Sequence, residues 1–267
     1  MVTQRTANPC IPVRFRARPP IGACIDSNRV LAAGNGRFEV GRLVMNIDYT
    51  GQRVKMVDGQ VRTTDVTDLS IISALLEIPR EEFVPERARP LAYIDEDIQL
   101  TANGVLPPRF LMESSPFAKL VQLAEIKPSD VVLDVGCATG YSSAVLSRLS
   151  SQVIALESDA ELAQAAAATL NTLGYDNVAV VEGVLQAGYP AEAPYDVIII
   201  EGSVGLVPDA LLNQLKEGGR LVAVEGRGNA GKARIYLKTG REVTGRYAFN
   251  AAIKPLPGFE IARGFEF

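Results

Sequence analysis

The sequence predicts an α/β fold in which a doubly wound, mostly parallel sheet follows an N-terminal helical and loop cap. Three features point to it. From residue 131 onward, short apolar runs alternate with helical periodicity. YDVIIIEG at 195–202 is an unbroken apolar strand of the kind buried on both faces. VVLDVGCATGYSSAVL at 131–146 sets a glycine turn between a strand and a helix, the place where such sheets bind ligands.

Each element has its own signal. A helix is expected at 68–78, with Leu69, Ile72, Leu75 and Leu76 on one face and Pro79 as its stop. The stretch 93–116 reads as loop, punctuated by Asn103-Gly104 and Pro107-Pro108. Within it, Asp95, Glu96 and Asp97 read as a solvated acidic turn. FAKLVQLAEI forms an amphipathic helix ending before Lys127-Pro128. Strand 131–135, helix 140–149 and strand 152–157 follow. Ser158 and Glu161 have the spacing of a capping box, opening an alanine-rich helix that runs to Thr172 and stops at Gly174. Strands at 178–182, 195–202 and 220–225, with a helix at 209–216, complete the alternation, so helices are expected on both faces. The tail, ARIYLKTGREVTGRYAF, is a hairpin around Thr239-Gly240.

Composition limits the chemistry. The 267 residues contain no histidine, which excludes Ser-His-Asp hydrolysis and histidine-ligated metal sites. Cys10, Cys24 and Cys137 lack metal-binding spacing, so no metal is expected, and so few cysteines suit a reducing cytoplasm. A net charge of −4 argues against a nucleic-acid partner, and no apolar run is long enough to span a membrane. Residues 1–44 carry seven arginines against Asp26 and Glu39 without periodicity. They are expected to be a poorly packed basic extension or sequence upstream of a start at Met45, with 45–267 as one domain. Within that domain, 45–128 would form the cap and substrate loop, and 129–267 the cofactor-binding sheet and hairpin.

The glycine turn lacks the nicotinamide fingerprint. Gly136-Cys137-Ala138-Thr139-Gly140 is followed by Tyr141 where a third glycine belongs, and no phosphate-loop lysine follows. Gly136 and Gly140 would let the backbone approach a ligand. Glu157, at the end of the second strand, could accept from both ribose hydroxyls of an adenosine cofactor. Asp134 suits a ligand with a cationic amino-acid portion, which S-adenosyl-L-methionine has.

That constellation resembles motif I and the ribose acid of class I methyltransferases. IPREEFVPERARPLAYIDEDIQL, YDVIIIEGSVGLVPDALLNQLKEGGRLV and KPLPG are similar to segments of the protein-L-isoaspartate O-methyltransferases, over residues 55–258. The resemblance implies a Rossmann-like, seven-stranded fold and a monomer that methylates isoaspartyl carboxylates of proteins or peptides. It implies cofactor contacts at Asp134, Gly136, Cys137, Ala138, Gly140, Tyr141, Glu157, Ser158, Gly183 and Val184, and a catalytic Ser114. The family's active loop, T-I-S-x-P, reads Met112-Glu113-Ser114-Ser115-Pro116 here, so Glu113 would repel a carboxylate unless Arg109 neutralises it. Val105-Leu106-Pro107-Pro108-Arg109 replaces the glycine-rich approach to that loop, which leaves room for another methyl acceptor or for a non-catalytic binding domain. Ser114 could also cap the following helix. Val184 stands where the family has an aspartate near the adenine amine, so adenine would be held by backbone or apolar contact.

Overall fold

The computed structural model describes residues 47–226 and 228–259; the start at Met45 and the basic extension lie outside them. α1 (Tyr49–Met56) passes into a π-helical turn at Val57–Val61 and a 3-10 turn at Arg62–Thr64. α2 (Leu69–Glu77) is capped by Asp68, whose carboxylate accepts from the N–H of Ser70 and Ile71. It ends where Ile78, preceding Pro79, is forced into an extended conformation. Its buried face is Ile71, Ile72, Ala74 and Leu75; Leu69, expected inside, is 74% exposed because it sits in the first turn.

Two-residue strands β1 (Ile98–Gln99) and β2 (Phe110–Leu111) pair antiparallel within the segment read as loop. α3 (Ser114–Ala124) then leads to β3 (Val131–Val135), α4 (Tyr141–Ser147), β4 (Gln152–Glu157), α5 (Ala160–Thr172) and β5 (Val178–Glu182). β6 (Tyr195–Val204), α6 (Asp209–Leu212), β7 (Leu215–Glu225), β8 (Lys232–Thr239) and β9 (Glu242–Asn250) complete the order.

The sheet runs β5-β4-β3-β6-β7-β8-β9, parallel through β7 and antiparallel in the final hairpin. The chain winds outward from β3 through β4 to β5, then returns to place β6 on β3's other side. The strand order therefore reverses at β3, and its carboxyl end next to β6 is the switch point where ligands collect. The doubly wound, mostly parallel seven-stranded expectation stands.

Helical cover is one-sided, unlike the symmetric cover expected. α3, α4 and α5 join the cap in packing on Val132, Val197, Ile199 and Val222. The opposite face, with Leu133, Val135, Ile198 and Ile200, is covered by Leu211 of the one-turn α6 and by Leu256 and Phe259 of the C-terminal segment. α6 stops short of the expected residue 216 because Leu215 already pairs with Tyr195 in β7. α5 is capped by Asp159, which accepts from the N–H of Glu161 and Leu162, instead of by Ser158.

The cap is fastened by arginines, one buried and one partly buried. Arg80, 0% exposed, donates to the carbonyls of Ala92 and Met112 and lies over the Tyr141 ring, 4.7 Å from its centroid. Arg53 bonds Glu81 and the Tyr93 hydroxyl. The Thr139 hydroxyl donates to the Phe83 carbonyl at 2.6 Å, which ties the cap to the glycine turn.

Candidate active site

The switch point assembles most of the residues expected to hold a cofactor. Gly136 adopts φ +85°, and a Cβ there would meet Leu256 Cδ1 at 2.8 Å. The chain then turns back so that Ala138, at φ +50°, donates its N–H to Glu157 Oε2 at 2.8 Å. Gly140 serves packing instead of ligand approach. A Cβ on it would press on Leu170 and Ala166 of α5, at 3.0 and 3.2 Å.

Glu157 is fully buried at the end of β4, and both its oxygens are engaged. Oε1 accepts the N–H of Ser158 at 2.7 Å and of Asp159 at 3.0 Å, and pairs with Arg109 Nη1. Oε2 accepts Arg109 Nη2 at 2.8 Å beside the Ala138 bond. Arg109 Nη2 also donates to the Gly136 carbonyl at 3.2 Å. The expected partnership of Arg109 with Glu113 is therefore corrected: the guanidinium goes to Glu157, whose two oxygens match its fork.

Two concavities flank this pair. One is an open cleft of about 470 Å³ lined by Ser158, Gly183, Val184, Gln186, Pro257 and Gly258. Val184 is 65% exposed there and offers an apolar surface. The other is a recess of about 10 Å³, lined by Asp97, Arg109, Met112, Glu201, Lys254 and Leu256.

The recess sets two acids, Asp97 and Glu201, beside two bases, Arg109 and Lys254, and burial raises the carboxyls in it and near it. Asp134 accepts the Ser142 and Ser143 hydroxyls at 2.7 and 2.6 Å on Oδ2, while its Oδ1 is buried without a partner. Burial pushes its carboxyl up to about 6, with the two serines pulling downward and the Glu157 charge adding to the rise. Glu201 lies well above the ordinary carboxylate range through burial and the charge of Asp134, and its Oε1 also lacks a partner. Glu113 is raised to about 7 by burial, then by Asp95 and Asp97. Asp97 is half-buried and accepts the Glu113 N–H at 2.9 Å, so the acidic turn is not wholly solvated as expected.

Three expected site residues have their side chains buried in the protein. Ser114 has 0% exposure, and its hydroxyl meets Met56 Sδ at 2.9 Å inside the core. It does not cap α3 either: Glu113 holds the N-cap position and makes no side-chain cap bond. Tyr141 is buried between Arg80, Phe83 and Phe117. Cys137 is buried, and burial pushes its thiol well above the usual range, which removes it from nucleophilic chemistry.

The sequence model of Protein-L-isoaspartate(D-aspartate) O-methyltransferase matches residues 41–254. The chain belongs to this family. A protein-L-isoaspartate O-methyltransferase of Koribacter versatilis is 39% identical over 178 residues, covering 66% of this chain and 78% of the relative. That of Roseiflexus castenholzii is 35% identical over 196 residues, covering 73% and 85%. A solved protein-L-isoaspartate O-methyltransferase superposes with a TM-score of 0.68 at 28% identity, over 77% of this chain and 66% of the other. A Plasmodium falciparum structure described as a complex with S-adenosyl-L-homocysteine shares the fold, with a TM-score of 0.62 at 18% identity. It covers 78% of this chain and 97% of the other. Among the described residues no helix is long and apolar enough to cross a membrane.

Within this protein-L-isoaspartate O-methyltransferase fold, Ser158, Gly183 and Val184, expected around a cofactor, line the open cleft, and Glu157 and Gly136 are joined to its edge through Ser158 and Arg109. Sequence reasoning missed Glu201, whose only signal was an acid directly after the apolar run 197–200. It also missed Arg109 as the partner of Glu157, a contact 48 residues long that no local spacing announces. Because Ser114 points into the core, Ser114→Ala is expected to leave methyl transfer within about twofold of wild type while lowering stability by about 1 kcal/mol. Initial rates and thermal melts of the two proteins check this.

Proposed function

We propose that this protein methylates the free carboxylate of isoaspartyl residues in proteins or peptides, using S-adenosyl-L-methionine. The observation that carries this is the placement of Glu157 beside the Gly136 turn, at the switch point of a chain belonging to this family. The cofactor supplies an electrophilic methyl group on a sulfonium. Glu157 is the acceptor for its ribose hydroxyls. Gly183, Val184 and Ser158 line the cleft that takes adenine through backbone and apolar contact. Gly136 allows close backbone approach, and the buried, unpartnered Oδ1 of Asp134 and Oε1 of Glu201 suit the ammonium of a cationic amino-acid end as acceptors.

The acceptor needs no general base. A carboxylate with a pKa near 4 is already ionised at neutral pH. The task is in-line placement with water excluded, which contributes about 7–11 kcal/mol. The absence of histidine therefore fits. With a net charge of −4, the protein takes peptides and not nucleic acid as acceptors, and acts as a cytoplasmic monomer.

Glu113 makes this pH-dependent. With its carboxyl raised to about 7, it is largely neutral in mildly acidic solution and charged above neutrality. The folded form holds its proton more tightly than the unfolded chain, so the stability it contributes is present below about pH 4.5 and is lost as pH rises through about 7. The same ionisation repels an incoming carboxylate. The KM for an isoaspartyl peptide is expected to rise between pH 6 and pH 8, by about threefold to tenfold, and Glu113→Gln is expected to flatten that rise. Steady-state kinetics at both pH values check it. Calorimetric titration with S-adenosyl-L-homocysteine tests the cofactor assignment; absence of one-to-one binding would overturn it.

A further inference from the structure

Glu157 already has as many donors as it can use. A carboxylate offers about four lone-pair sites. Here it receives the N–H groups of Ala138, Ser158 and Asp159 together with both terminal nitrogens of Arg109. A ribose diol cannot bond this carboxylate unless one of those donors leaves. The three backbone donors are fixed by the glycine turn and the start of α5. Arg109 is different: it reaches in from the end of the 100–109 loop, where Leu106 is 83% exposed. Its backbone is anchored, with its carbonyl accepting Leu100 N–H at 2.9 Å and its N–H bonding Thr101 Oγ1 at 3.2 Å. Only its side chain has to move.

A displaced guanidinium needs another anion, because a buried charge without a partner is strongly disfavoured. Arg109 also lines the small recess, where Lys254 is the other base and Asp97 and Glu201 are the acids. At about 10 Å³ the recess holds no more than about one water, so it cannot admit a carboxylate until Arg109 shifts. A guanidinium fork then matches an arriving carboxylate at two points.

We infer that Arg109 is a shared arm: it competes with the cofactor's ribose for Glu157 and, once displaced, binds the acceptor's carboxylate, so that cofactor binding prepares the acceptor site. This rests on the function proposed above. It makes Arg109 a specificity-determining residue, and it makes the two ligands bind cooperatively in a set order.

The test is calorimetric titration of S-adenosyl-L-homocysteine, with peptide kinetics, on wild type, Arg109→Met and Arg109→Lys, each verified as folded by thermal melting. Arg109→Met is expected to bind S-adenosyl-L-homocysteine about tenfold more tightly, and to raise the KM for an isoaspartyl peptide about tenfold, with Arg109→Lys intermediate on both. In the wild type, the peptide is expected to bind about tenfold more tightly with S-adenosyl-L-homocysteine present than without it, and reciprocally. This arm decides the matter if Arg109→Met fails to fold. Unchanged or weaker S-adenosyl-L-homocysteine binding in Arg109→Met, an unchanged peptide KM, or equal peptide affinity with and without S-adenosyl-L-homocysteine would overturn the inference. A wild type that binds S-adenosyl-L-homocysteine but methylates no isoaspartyl peptide would instead overturn the functional reading, and the acceptor role of Arg109 with it. The competition for Glu157 would still be decided by the binding data.

Discussion

Glu157→Gln is expected to lower the thermal midpoint by about 10 °C and to weaken S-adenosyl-L-homocysteine binding by about 100-fold or more. The stability loss follows from burial. Removing one partner of a buried, hydrogen-bonded ion pair costs about 3–5 kcal/mol, and each kcal/mol moves the midpoint of a protein this size by about 2–4 °C. Glutamine keeps the shape but must turn its NH2 group toward donors on one side, either Ala138 or Ser158 and Asp159. It also leaves the Arg109 guanidinium without its counter-charge. The binding loss follows from two hydrogen bonds to a charged acceptor, at about 1.5–3 kcal/mol each. Differential scanning calorimetry and ligand titration read the two effects separately. A variant that melts like wild type would show that the pair contributes little.

Gly136→Val is expected to abolish cofactor binding with a smaller loss of stability. The backbone there sits at φ +85°, where a β-branched residue is strained by about 1–3 kcal/mol. Its Cβ would also meet Leu256 at 2.8 Å and come within 3.5 Å of Arg109 Nη2, which pairs with Glu157. A melting point lowered by about 5 °C and affinity reduced by about 100-fold or more are expected. Gly140→Ala is the control. Its Cβ would press on Leu170 and Ala166, so it should destabilise while leaving affinity nearly intact. Equal binding losses in the two variants would contradict the division of labour between these glycines.

The first parallel strands were legible because short apolar runs between turns are simple. β3, β4 and β5 fall on their sequence-predicted bounds residue for residue, since each is a short apolar run closed by a turn or an acid. α1 was not legible. YTGQRVKM buries only Met56, and the helix is held by Arg53 reaching Glu81 and Tyr93, contacts made by later sequence. Ser158 and Asp159 are adjacent residues with equal capping chemistry; the Ser158 N–H and hydroxyl turn toward Glu157, which leaves the cap to Asp159. Ser114 matched a family motif by letter, yet its side chain took the core side of α3, a choice set by the packing of Met56. Arg109 and Glu201 reach the site through tertiary structure alone. They are also where the chain departs most from what its motifs led one to expect.

The most direct measurement is methyl transfer from labelled S-adenosyl-L-methionine to an isoaspartyl peptide and to its normal-aspartyl twin. The expected result is label on the isoaspartyl peptide, base-labile as a methyl ester is, with none above background on the twin. Tight S-adenosyl-L-homocysteine binding without transfer to the isoaspartyl peptide, or equal labelling of both, would contradict the assignment.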